Sequence, residues 1–147
     1  MTFSEFRLEE RGSRLFDRWI WGKTIATPLG NFEVVLHQND EEILPDDSMV
    51  KFVAELVSFT ETNCALILDI VFGYYRLAEV SDPLWLDCND VPRGLTKTEI
   101  KNYMQGLWLV VSRRKDSKNP YESVIFMNPL WDEEHKLSLE FQDGKII

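Results

Sequence analysis

The chain has little cysteine, little histidine and no long apolar run, and each shortage removes a class of protein. Its 147 residues include two cysteines, Cys64 and Cys88, and two histidines, His37 and His135. Neither cysteine has another Cys or a His at ligand spacing, so no disulfide framework and no zinc site are expected. Reduced thiols in a cytoplasmic protein are the simpler expectation. No stretch approaches the ~18 apolar residues of a membrane span, and Met1 to Arg11 lacks the uninterrupted apolar core of a signal peptide. Neither export nor anchoring in a membrane is expected.

Positive charge is also scarce. Lys and Arg number 16 against 25 Asp and Glu, a formal charge of −9, which repels nucleic acid and anionic membranes and suits a basic protein partner. Chemistry-bearing motifs are missing too: there is no Gly-x-Ser-x-Gly elbow, no phosphate loop, and no cysteine next to a histidine in sequence. No enzymatic activity, metal or cofactor is expected on these grounds.

What is present is apolar and aromatic: 44% hydrophobic residues, with five Trp and nine Phe, are too many for disorder. At this length one domain spanning residues 1–147 is expected, removing roughly two-thirds of its unfolded surface from water.

Strand and helix periods divide the chain into three parts. Phe16 to Ile25 and Asn31 to Gln38 read as strands joined by Thr27-Pro-Leu-Gly-Asn, with Phe32, Val34 and Leu36 on the buried face. A polar connector follows, in which Asp46, Asp47 and Ser48 are N-cap candidates. Met49, Phe52, Val53, Leu56 and Val57 recur at helical spacing.

A second helix is expected over about Glu61 to Leu77, apolar on more than one face as if packed centrally; a buried strand at Ala65 to Phe72 is the alternative. Ser81 to Gly94 reads as a loop-like connector. Thr96-Lys-Thr-Glu99 matches a capping box ahead of a short helix from about Lys97 to Met104. From Gly106 the texture is again that of strands: Leu107 to Val111, Glu122 to Met127, Lys136 to Phe141, and Ile146-Ile147 after an Asp143-Gly144 turn. The expected fold is α+β, a mostly antiparallel sheet of five to seven strands with two or three helices packed on one face.

Two acidic clusters stand out. Asp40, Glu41 and Glu42 with Asp46 and Asp47 form one; Asp132, Glu133 and Glu134 form the other, in Trp131-Asp-Glu-Glu-His135. Either they present a negative face to a basic ligand, or they are solvated loop charge. At the second cluster a catalytic acid/base pair with His135 competes with a structural turn whose carboxylates accept backbone amides. A metal there would need His37 brought close to His135. Trp19 and Trp21 share a strand face and are read as core rather than as a stacking platform, and Trp85 and Trp108 likewise as packing residues.

Leu95-Thr-Lys-Thr-Glu-Ile, Leu107-Trp-Leu-Val-Val, Ile125-Phe-Met, Trp131-Asp-Glu-Glu-His, Leu137-Ser-Leu-Glu-Phe and Asp143-Gly-Lys-Ile together resemble an uncharacterised bacterial domain family. Its members end in a Trp-Asp-x-Glu-His-Gly corner and a closing hairpin; Lys136 stands where that family commonly has Gly. Such proteins are similar to small immunity-type proteins, which plug a toxin's active site or block its docking. The resemblance implies a non-enzymatic protein-binding domain, an immunity-type inhibitor of a basic toxin domain. A hydrolase using His135 with Glu134 or Asp132, and a structural or homo-oligomerisation module, are the alternatives.

Overall fold

In the computed structural model the described residues are 1–9, 18–37, 46–113, 121–132, 136–142 and 145–146. Among them, seven strands and three α-helices form an α+β fold around one mixed sheet. The strands lie in sequence order from β1 (Phe6–Glu9) and β2 (Arg18–Thr27) through β3 (Gly30–His37), β4 (Met104–Arg113), β5 (Tyr121–Pro129) and β6 (Leu137–Gln142) to β7 (Lys145–Ile146). Every pairing is antiparallel except β3 with β4, which run parallel with Glu33 beside Trp108 and His37 beside Ser112. A parallel pair needs a long crossover, and the helices α1 (Asp47–Thr62), α2 (Cys64–Ser81) and α3 (Pro83–Cys88) lie within it.

Turn chemistry sets the β2–β3 hairpin. Thr27 pairs with Gly30, the Thr27 hydroxyl donates to Gly30 O at 2.8 Å and accepts from Leu29 N at 3.2 Å, and Gly30 sits at φ +127°, a conformation L side chains rarely adopt. Phe32, Val34 and Leu36 then fall on the buried face as their alternation requires. Val35, expected outside, is buried as well, because it pairs with Ile20 and Val110 on the opposite face. The core-side residues of β3, β4 and β5 share one hydrophobic cluster with Val53 and Leu56 of α1, Val71 and Tyr75 of α2, and Leu86 of α3. Trp19 and Trp21 are half-buried against that cluster, as expected of core aromatics.

Asp46 caps α1, its Oδ1 accepting from Met49 N at 2.9 Å, and the buried residues Met49, Val53, Leu56 and Val57 repeat at helical spacing. The chain bends by 71° at Asn63 into α2, so the strand alternative at Ala65 to Phe72 falls. Among the described residues no single helix is long and apolar enough to cross a membrane.

Three expectations need correction. The Ser81–Gly94 segment is not all loop: Pro83 opens α3 at a first-turn position, where its missing N–H costs nothing. The helix expected over Lys97 to Met104 is a single 3-10 turn, Ile100–Tyr103. Its capping box is half-formed, with the Glu99 carboxylate accepting from both the Thr96 amide at 3.3 Å and the Thr96 hydroxyl at 2.6 Å. Nor is α2 apolar all round in the packed sense: Ile67, Leu68, Val71 and Tyr75 are buried, whereas Leu66, Leu77 and Val80 are exposed.

Candidate functional site: the corner of α2, α3 and Trp131-Asp132

The polypeptide leaves β5 at Pro129 and makes one 3-10 turn, Leu130–Asp132, which buries the Trp131 ring to 1% exposure. Trp131 stands edge-on to Tyr75, with ring centroids 5.5 Å apart and planes at 70°, the arrangement aromatic quadrupoles favour. That anchor holds the next residue, Asp132, against α2. There the Tyr74 hydroxyl donates to Asp132 Oδ2 at 2.5 Å. Burial first, and then the neighbouring carboxylate, push the Tyr74 hydroxyl up from 10.0 to about 12. Tyr74 therefore stays a neutral donor that fixes the carboxylate, and is not a proton-transfer group near neutral pH.

Next along α2, Tyr75 is fully buried and its hydroxyl organises the loop after α3. It lies 2.7 Å from Pro92 O and 3.2 Å from Glu79 Oε2, and accepts from Leu95 N at 3.1 Å. Glu79 accepts in turn from the Gly94 amide, the main reason its carboxyl is held below the usual carboxylate range. Adjacent tyrosines thus do different work: Tyr75 ties loop to helix, and Tyr74 ties helix to the Trp131-Asp132 turn.

Between α2, α3 and that turn lies a concavity of about 280 Å³. Tyr74, Trp85 and Trp131 give it aromatic walls, Leu77 an apolar side, and Asp82 and Asp132 carboxylates. No lysine or arginine among the described residues lines it. It is suited to holding a group that is cationic yet tolerates aromatic contact.

The strands that precede the two acidic segments finish at opposite ends of the sheet. His37, the last residue of β3, pairs beside Ser112, whereas Pro129, which precedes the Trp131 turn, pairs with Met104 at the far end of β4. The strand ends from which the two acidic segments issue are therefore separated by most of the length of β4, roughly 25 Å at about 3.3 Å per residue. Asp46 is occupied as the α1 cap and Asp47 lies exposed in its first turn, while Asp132 joins the concavity. Asp40, Glu41, Glu42, Glu133, Glu134 and His135 lie outside the described residues, and with them the proposed acid/base pair. Among the described residues no three of His, Cys, Asp and Glu gather as metal ligands.

Sequence reasoning missed Tyr74, Asp82 and Leu77, and read Trp85 as packing only. The available signal was the exposed apolar side of α2 followed by Asp82-Pro83, a helix-to-helix corner with a proline start.

The fold is an α+β domain with an acidic, aromatic-walled corner. The chain belongs to the family described as Domain of unknown function (DUF6985), whose sequence model matches residues 4–147. No curated protein and no solved structure matches it.

Proposed function

We propose that this is a non-enzymatic protein-binding domain whose partner is basic, with the α2–α3 corner as its docking end. The observation that carries this reading is the concavity in which Asp82 and Asp132 face three aromatic side chains with no described lysine or arginine among them. The three helices are taken to cover one sheet face, on the strength of the core they share with it. The net charge of −9 steers a cationic partner toward the molecule, and Asp40, Glu41, Glu42, Asp46 and Asp47 add to that charge. An immunity-type inhibitor of a basic toxin domain is the biological role that fits this chemistry, its bound corner covering the toxin's working surface.

The test is retention of a partner from native cells on immobilised domain, followed by association kinetics with wild type and Asp82→Lys. A partner of high isoelectric point, an association rate that falls with added salt, and a further loss in the variant are expected. A neutral or acidic partner, or a rate indifferent to both salt and the charge reversal, removes the reading.

A further inference from the structure

Resting on the basic-partner reading, we propose that the α2–α3 corner recognises one arginine followed or preceded by an apolar residue in the partner chain. The arginine enters the concavity walled by Tyr74 and Trp85, and its apolar neighbour enters a second hollow of about 270 Å³ lined by Leu84, Trp85 and Cys88. Trp85 belongs to both hollows, so its side chain borders both occupants.

The size of the first hollow fits a side chain better than a free metabolite. It lies at the lower edge of the roughly 300–1,000 Å³ range of small-molecule clefts. Its chemistry selects guanidinium over ammonium. A guanidinium is planar, weakly hydrated and stacks on aromatic faces while its N–H groups reach carboxylates, whereas an ammonium holds its water and gains less between rings. Trp131 forms the floor, and the Tyr74 hydroxyl, committed to Asp132, holds both its own ring and that carboxylate in place.

Among the described residues, the cations of α2 and of the segment after α3 are engaged elsewhere. Arg76 pairs with Glu79 at 2.9 Å, Arg93 with Asp87 at 2.6 Å and Lys97 with Asp69 at 2.5 Å, so no described cation is given to Asp82. The rim supplies the apolar half of the signature. Leu77 and Leu84 are 60% and 72% exposed, two of the six large hydrophobics that the described part of the chain leaves in water, and they line the first and the second hollow. Such a patch beside a charged hollow marks a surface covered by a partner segment of matching character.

The test uses the intact domain and four blocked pentapeptides: Gly-Leu-Arg-Leu-Gly, its lysine form, its citrulline form, and Gly-Ala-Arg-Ala-Gly. Binding is read from the indole N–H resonances in a two-dimensional NMR titration, with Trp85→Phe identifying the Trp85 signal. The Leu-Arg-Leu peptide is expected to move the Trp85 signal saturably. The citrulline form should bind roughly tenfold more weakly or worse, as loss of a charge-assisted hydrogen bond requires. The lysine and alanine forms should fall between. Asp82→Asn, whose side chain makes no cap hydrogen bond, should bring the arginine peptide down to the citrulline level without unfolding the domain. Equal binding of the arginine and citrulline forms overturns the proposal, as do shifts that spare Trp85. If no peptide moves Trp85 while a basic partner is still retained in a salt-sensitive way, the arginine signature falls and the basic-partner reading stands. If the retained partner is acidic, both fall.

Discussion

Tyr74 and Asp132, 58 positions apart in the chain, are joined by a 2.5 Å hydrogen bond that closes the Trp131 turn onto α2. The bond does structural work for a surface feature: it sets one wall and one carboxylate of the same hollow at once. Removing the donor should therefore disturb the shape of the hollow and the stability of the fold together.

Tyr74→Phe is expected to lower stability by about 1 kcal/mol at neutral pH, the usual worth of a part-buried hydrogen bond. Its pH signature follows from the raised hydroxyl pKa. The folded protein holds this proton up to about 12 whereas the unfolded chain releases it near 10.0, so the stabilisation is fully present below pH 10 and is lost as pH rises through about 12. Buried Tyr75 titrates high for the same leading reason and adds to the slope. Urea denaturation across this window should show a shallower alkaline decline in Tyr74→Phe than in wild type.

Glu79 gives the mirror case on the acid side. Its carboxyl is held low chiefly by the Gly94 amide, so its contribution is present above the ordinary carboxylate pKa and is lost as pH falls through the lowered one. Glu79→Gln should melt at lower temperature than wild type at neutral pH, with the two curves converging in acid. Amide exchange at Gly94 should quicken in the variant.

The Asp46 cap, one of the three N-cap candidates, predicts a structural effect at a residue also counted in the first acidic cluster. Asp46→Ala should cost about 1 kcal/mol in chemical denaturation, and Asp46→Asn or Asp46→Ser should recover most of it, because either side chain can accept from the Met49 amide. Failure of both to rescue would show that the charge matters and the cap does not.

Gly106 sits beneath the Trp108 ring. A Cβ added there would lie 2.0 Å from Trp108 Cη2, so Gly106→Ala must push the indole off its seat against Phe126, whose ring centroid is 5.8 Å away. The cost should be about 1 kcal/mol, the lower range for overpacking, since the ring is half-buried and can swing outward. A red shift in tryptophan emission should accompany it, and Trp108→Leu should make the substitution at 106 nearly neutral.

Much of the layering was legible because it rests on local rules. The alternation of Phe32, Val34 and Leu36, the cap at Asp46 and the 3.6-residue spacing from Met49 to Val57 each appear in a short window, and each is realised. β1 escaped notice because Phe6 to Glu9 is only four residues long and becomes a strand by pairing with Arg18 to Trp21. α3 was hidden in a segment read as a loop-like connector, in which Pro83 serves as a helix start. The α2–α3 corner was the least legible part. Tyr74, Asp82, Trp85 and Asp132 come from three separate elements, and nothing in the spacing between residues 74 and 132 announces a hydrogen bond. The acidic character of the Trp131-Asp132 corner could be read from sequence, but its aromatic surroundings could not.

The lone parallel seam between β3 and β4 shapes how this molecule must come together. β1 to β3 on one side, and β4 to β7 on the other, are antiparallel ribbons of neighbours in sequence, able to zip by short-range closure. The seam alone joins Glu33 to Trp108 and His37 to Ser112, across the whole helical excursion. Loop-closure entropy falls most heavily on that one line, so the pairing of β3 with β4 is the contact that costs most chain entropy to close.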